Sequence, residues 1–169
     1  MTQQQLPWPP REVGAIAIKL RELRQLLEHG CDPPELDEHR AWLARMLIIR
    51  ATGYLEQSVI EVTRAYVDQR SGGLVRVFAR SWMDRSRNPT PDALLGFIGR
   101  FDYSLQLELK ELLDADDQLL RRDLAMLVDS RNKIAHGHNE GVRPRRALGL
   151  TDSAELIADW FILRFNPNR

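Results

Sequence analysis

The chain has 169 residues, of which 24 are basic and 24 acidic, so its formal net charge is zero. This length fits one compact domain, and the balanced charge argues against polyanion binding driven by bulk charge. The single cysteine, Cys31, excludes an intrachain disulfide framework and a Cys-rich zinc site. No signal-peptide core precedes the first helix, and the longest aliphatic run, residues 46–49, is far below the ~20 residues of a membrane span. We therefore expect a soluble, cytoplasmic protein with no membrane contact.

Apolar residues recur at steps of three and four along most of the chain, and no segment alternates as a strand does, so the sequence predicts helices only. The first helix is predicted over residues 11–29, ending at Gly30. The second, over about 36–71, has no proline and would be roughly 50 Å long. It is the expected central helix, and Gly72 ends it.

Shorter helices are predicted in the second half of the chain, at about 74–83, 91–100, 104–113 and 116–136. Thr90 is a predicted N-cap, with Pro91 at the first helical position. Gly137 is expected to stop the helix that contains His136. We expect residues 138–150 to be irregular and basic, and Thr151-Asp152-Ser153 to cap the last helix.

These elements predict an all-α bundle, up-and-down around the long central helix. Residues 1–35 form an N-terminal segment and first helix, and 36–169 form the bundle, the two packed as a single domain. Large aromatics at helical spacing are expected in the core or in a dimer interface: Trp42, Trp82, Trp160 and Phe161. Trp8, among prolines, is either a partner-docking residue or part of an N-terminal strap.

The chain contains no Gly-rich phosphate loop, no dinucleotide fingerprint and no nucleophile elbow. His136 and His138, followed by Glu140, lack a clear third ligand at metal-binding spacing. The sequence therefore predicts neither a metal nor another cofactor.

The best candidate for chemistry is the end of the predicted helix 116–136, where Arg131, Asn132 and His136 supply a permanent cation, a polar amide and a titratable imidazole. This set suits cleavage of an RNA phosphodiester. His136 would move protons, Arg131 would stabilise charge that grows on the phosphate oxygens, and Asn132 would position His136 or the phosphate. Lys133 and His138 flank the set as supporting residues.

Charge is spread unevenly, with a net +3 over residues 74–101, −5 over 102–117 and +4 over 131–150. Such runs are typical of solvated faces. The alternative is that the positive segments converge on a polyanion, and we then expect RNA to contact the basic loop next to the candidate site: Arg143, Arg145 and Arg146.

The Arg–His spacing alone is a weak signal, because 21 of the 24 basic residues are Arg and chance matches are common. Arg24 and His29 form a second match in the first helix. Glu28, which would repel phosphate, favours the later pair as the functional one. In the alternative interpretation, His136 is only a helix cap and Arg131 only a surface residue.

The motif from Arg131 to Gly137, Arg-Asn-Lys-Ile-Ala-His-Gly, resembles the HEPN superfamily, in particular its RiboL-PSP-HEPN-type branch. The stretch from Ala44 to Glu56 in the long helix is similar to it as well, and the resemblance covers roughly residues 38–165. It implies a HEPN-like bundle and a two-fold homodimer in which two Arg–His pairs face each other across a cleft.

The resemblance also implies a metal-independent endoribonuclease that leaves a 2′,3′-cyclic phosphate, in a toxin–antitoxin, phage-defence or RNA-processing setting. RNA and an antitoxin or other protein would then be its partners. Because some members of the superfamily lack catalysis, the alternative is a module that binds RNA or a partner protein. Glu56 is a supporting candidate that would orient Arg131 or His136 from the adjacent helix; a surface Glu paired with a nearby Arg is the alternative.

Overall fold

The computed structural model describes residues 7–29, 37–83, 88–138 and 141–168, and all regular structure in these ranges is helical. The helices, in chain order, are α1 (Arg11–His29), α2 (Asp37–Arg70), α3 (Gly73–Met83), α4 (Pro91–Ile98), α5 (Tyr103–Ala135) and α6 (Pro144–Arg164). The predicted all-α fold and the bounds of the first three helices are confirmed to within about one residue.

Helix α2 is the centre of the bundle and packs against α1, α3, α5 and α6. Leu47, Ala51 and Leu55 follow one another at steps of four and are fully buried, so one stripe of the helix forms the middle of the core. Thr52 and Thr63 are also buried; each hydroxyl donates to the carbonyl oxygen four residues earlier, at 2.9 and 2.6 Å. These bonds let polar side chains lie in the core without an unpaired donor.

Trp8 lies against the bundle, as the strap interpretation expects. The indole Nε1 of Trp8 donates to the carbonyl oxygen of Ile162 in α6, at 2.8 Å. Val13, Leu20 and Leu27 of α1 are buried in the same core as the residues of α2 and α6. The first helix therefore shares one core with the rest of the described bundle.

Helix α4 begins as the sequence predicts. The hydroxyl of Thr90 accepts a hydrogen bond from the backbone N–H of Ala93, at 3.2 Å, and Pro91 follows the cap. Helix α5 is interrupted between Ala115 and Gln118, with three successive residues at positive φ. The interruption separates its two halves near the predicted boundary between the helices 104–113 and 116–136.

The predicted start of the last helix is wrong. Helix α6 begins at Pro144, so most of the segment expected to be irregular is helical. Thr151 is no cap; it is buried within α6 and donates to the carbonyl oxygen of Ala147, at 2.9 Å. The physical reason is that Ala147, Leu150 and Ala154, at steps of three and four, all face the core. Proline at the first helical position, with φ already fixed, starts the helix earlier.

The four aromatics divide into two pairs. Trp160 and Phe161 lie in the core, as predicted, whereas Trp42 and Trp82 are 56% and 42% exposed.

Within the described ranges, no helix has the length and apolar composition needed to cross a membrane.

Candidate functional site

The C-terminal end of α5 is built by a Schellman motif. The N–H of Gly137 donates to the carbonyl oxygen of Ile134, and the N–H of His138 donates to that of Lys133, both at 3.0 Å. Gly137 has a φ of +80°, a conformation that glycine adopts without a steric penalty. His136 is the C-cap of the helix. The predicted stop at Gly137 is confirmed. Because the helix ends there, His136 lies at the last position of the helix, next to solvent.

His136 is exposed, and within the part of the chain that the structure describes its imidazole makes no hydrogen bond or ion pair. An exposed ring can exchange protons with a bound substrate and with water. Its orientation is not set by a neighbouring side chain among these residues.

Arg131 is half-buried one turn earlier, and two amide oxygens hold its guanidinium group. Nη1 donates to Oδ1 of Asn132 at 3.0 Å and to Oδ1 of Asn88 at 3.3 Å. No carboxylate in the described ranges forms an ion pair with it. Because amide oxygens are neutral, they orient the guanidinium without cancelling its charge. Asn132 thus orients Arg131, a contact that the sequence did not predict, since Asn132 was expected to position His136 or the phosphate.

Asn88 is a site residue that sequence reasoning missed. It lies just before α4, 43 positions from Arg131, and nothing in the local sequence marks it as a partner of the arginine. Its side chain also lines a small cavity of about 40 Å³ together with Glu56 of α2. Glu56 therefore lines the same cavity as a hydrogen-bond partner of Arg131.

The two flanking residues differ in their surroundings. Lys133 forms an ion pair with Asp129, one turn earlier on α5, with Nζ and Oδ2 2.9 Å apart. His138 is exposed just beyond the helix end. Lys133 therefore carries a compensated charge, whereas the ring of His138 stands in solvent beside the C-cap.

The three arginines predicted to bind RNA lie at the start of α6: Arg143 is the N-cap residue, and Arg145 and Arg146 are in the first turn. Arg143 and Arg145 are exposed. Arg146 instead holds the buried carboxylate of Asp123 in α5, with Nη2 and Oδ1 2.8 Å apart. Ser153 donates to the other oxygen of Asp123 at 2.7 Å. Asp123 was missed by sequence reasoning; it ties α5 to α6 and engages one of the three arginines.

The second Arg–His match has different surroundings. The guanidinium of Arg24 lies within 3.0 Å of carboxylate oxygens from three residues: Glu28 in α1, and Asp152 and Glu155 in α6. His29 is exposed at the end of α1. Arg24 is thus an ion-pair centre that joins two helices.

No three His, Cys, Asp or Glu side chains come together closely enough to hold a metal ion, among the residues that the structure describes. The functional groups that could act on a substrate at the end of α5 are therefore the imidazole of His136, the guanidinium of Arg131 and the amides of Asn88 and Asn132.

A family model described as RiboL-PSP-HEPN matches residues 15–161 of the chain. This span is most of the chain and includes Glu56 in α2 as well as Arg131 and His136 in α5. No curated protein and no solved structure matches the chain.

Proposed function

Because this chain belongs to the RiboL-PSP-HEPN family, we propose that it is a metal-independent endoribonuclease that cleaves RNA and leaves a 2′,3′-cyclic phosphate. It would act in a toxin–antitoxin system, in phage defence or in RNA processing. RNA is then its substrate, and an antitoxin or another protein is a potential partner.

The observation that carries this proposal is the environment of Arg131. Its guanidinium is held by the two amide oxygens of Asn88 and Asn132, and no carboxylate of the described residues pairs with it. A guanidinium that is oriented in this way retains a full charge for the non-bridging oxygens of a phosphate, which it can contact with two parallel N–H donors.

The chemistry requires two proton transfers. A base removes the proton of a ribose 2′-hydroxyl while its oxygen bonds to phosphorus. The bond from phosphorus to the 5′-oxygen breaks, and an acid gives that oxygen a proton. His136 is the candidate for either transfer. Arg131 would stabilise the extra negative charge on phosphorus-bound oxygens in the transition state.

A homodimer supplies the second proton-transfer group. Each chain offers one His next to an Arg that is free of carboxylates, whereas the reaction uses both an acid and a base. Two copies that face each other would contribute His136 twice, one ring as base and the other as acid. We therefore propose that the active form is a two-fold homodimer.

Substrate binding would use the exposed arginines at the start of α6. Arg143 and Arg145 extend into solvent beside the backbone N–H groups of the first turn, where the helix dipole favours anions. Arg146 contributes less, because its guanidinium is engaged by Asp123. Phosphate groups that flank the cleaved bond are the expected contacts of this pair.

Incubation of the purified protein with a mixed RNA pool in excess chelator tests the proposal. End-group analysis should find 2′,3′-cyclic phosphates, and the His136→Ala variant should produce at least about a hundredfold less of them, the usual contribution of a general acid or base, while it keeps its helical content. Cleavage by H136A at the wild-type rate, or cleavage that needs a divalent ion, would refute the assignment.

One observation favours a second candidate, a module that binds RNA or a protein without cleaving. The imidazole of His136 has no orienting partner among the described residues of its own chain, whereas a catalytic His is commonly held by a third group. In the same assay, this module would shift RNA on a native gel and leave it uncut.

A further inference from the structure

Helix α3 exposes apolar side chains to an unusual extent. Leu74 is 87% exposed, and Val75, Val77 and Phe78 are each exposed by about two thirds. We call these four residues, with Trp82 at 42%, the α3 face. A groove of about 580 Å³ runs between α3, the end of α2 and α4, and Phe78 and Trp82 line it. An exposed apolar surface of this kind is typical of a protein interaction site.

The size of the α3 face matches one half of a dimer interface. At these exposures, its five side chains leave on the order of 500 Å² of apolar area in solvent, near the upper limit for a monomer surface. A standard interface buries about 800 Å² on each partner. About 65% of that area is apolar in homodimers, or about 500 Å².

The charge next to the α3 face is positive. Arg76 donates to the carbonyl oxygen of Ser71, at 3.0 Å from Nε, and Arg100 lies over the Trp82 ring, 4.4 Å from its centre. Neither arginine forms an ion pair with a carboxylate of the described ranges. The covering surface is therefore expected to be apolar and acidic.

The same chain carries such a surface on the first half of α5. Tyr103, Leu107 and Glu111 follow one another at steps of four and so lie along one stripe of the helix. Tyr103 is 69% and Leu107 43% exposed, and the exposed Glu111 forms no ion pair with a described residue. We call this stripe the α5 face. It is complementary in charge to the α3 face.

The two faces begin close together, because Arg100, which contacts Trp82 of the α3 face, lies three residues before Tyr103, a span of at most about 10 Å. A two-fold axis that passes close to this contact brings the α3 face of each copy against the α5 face of the other. Such a dimer has closed two-fold symmetry, and the contact between an α3 face and an α5 face occurs twice in it. We infer that these two faces form the homodimer interface, with a second copy of this chain as the partner.

This interface would also reach the candidate site. Trp82 and Met83 line both the large groove and the small cavity that Asn88 and Glu56 share, and Asn88 contacts Arg131. A second copy on the α3 face would therefore lie against Trp82, which shares the small cavity with Asn88, the hydrogen-bond partner of Arg131. This last step rests on the proposed nuclease function, whereas the pairing of the faces does not.

Light scattering coupled to gel filtration tests the pairing through mass. The wild-type protein should have the mass of two chains, and Phe78→Asp, a change at an exposed position, should halve the mass with unchanged circular dichroism. A wild-type mass of one chain, or a dimer that F78D leaves intact, would overturn the inference. A monomer whose RNA affinity falls in F78D would assign the groove to RNA instead.

A charge exchange sharpens the test. Arg76→Glu and Glu111→Arg should each raise the dimer dissociation constant at least tenfold, and Arg76→Gln, the neutral control, should raise it less. An equimolar mixture of R76E and E111R should form a heterodimer. In it, the two substituted residues make one contact with the charges exchanged, and the native Arg76 and Glu111 make the other. Two monomeric variants that do not associate would contradict the pairing of these faces. The H136A variant should keep the dimer mass, so loss of cleavage and loss of the dimer are separate results.

Discussion

The chain contains the Arg–His spacing twice, and the two copies differ in what surrounds the arginine. Arg24 lies within 3.0 Å of oxygens from three carboxylates, whereas Arg131 is held by the amide oxygens of Asn88 and Asn132. The first guanidinium is neutralised, and the second is oriented but still charged. The comparison teaches that the spacing alone does not decide whether the guanidinium keeps its charge; the neutral or acidic acceptors around the arginine do.

The largest difference is expected between the two histidines. His136→Ala should lower the rate of RNA cleavage by about 10²–10⁴-fold, the usual contribution of a general acid or base. His29→Ala, at the exposed end of α1, is the matched control and should cleave at the wild-type rate. Initial rates on a labelled RNA measure both. An equal loss in both variants would remove the distinction between the two copies.

The two arginines should separate activity from stability. Arg131→Ala should lower kcat by about 10²–10³-fold, the typical loss when a donor to the transition-state charge is removed. Its stability should change little, since only two amide contacts are lost. Arg131→Lys should recover part of the rate, because lysine keeps the charge without the two-pronged geometry.

Arg24→Ala should show the opposite result. The three carboxylates would lose their shared counter-ion, and the free energy of unfolding should fall by about 1 kcal/mol, the upper range for partly exposed ion pairs. Urea denaturation measures this loss, and the cleavage rate of the folded variant should be unchanged. A variant of Arg24 that is stable but inactive would contradict our assignment of the two copies.

The difference between the two copies was only partly visible in the sequence. Glu28 lies four residues from Arg24 and could be recognised as an anionic neighbour, and the structure confirms that contact at 3.0 Å. Asp152 and Glu155, however, lie more than 120 positions away. Asn88 is likewise remote from Arg131. Such partners are set by helix packing, which local periodicity does not encode.

The fold shows the same limit. The bounds of α1 were predictable because Pro9-Pro10 and Gly30 punctuate a regular apolar stripe. The start of α6 was not, because Arg143, Pro144 and Gly149 are typical of a loop. Burial of the α6 stripe against α2 outweighs that local preference. Arg145 and Arg146 of the predicted loop therefore lie on a helix, and Arg143 is its N-cap.

A single added charge can make one copy resemble the other. Asn132→Asp preserves the size of the side chain but places a carboxylate where a neutral oxygen now accepts from Arg131, at 3.0 Å. The guanidinium would then be compensated, as Arg24 is, and we expect about a tenfold loss in kcat/KM. Asn132→Ala, which removes the orienting contact without adding charge, should lose less. Steady-state kinetics on a short RNA distinguish them, and an N132D variant that is as active as wild type would show that the compensation of charge is irrelevant.

The smallest effect concerns the pH dependence of the Arg24 cluster. Burial raises the pKa of Glu155 above its ordinary value of 4.5, although Arg24 opposes the shift, and burial also raises the pKa of Asp159. A carboxyl whose pKa is higher in the folded state contributes stability that is complete below its unfolded pKa and is lost as the pH rises through the folded one. From pH 4.5 upward, Glu155 should therefore lower the free energy of unfolding, by less than about 1 kcal/mol because the group is partly exposed. Urea titrations at a series of pH values should show a smaller fall for Glu155→Gln than for wild type, and a still smaller one when Asp159→Asn is added. A steeper fall in E155Q would mean that the ion pair with Arg24, rather than burial, dominates the titration of this carboxyl.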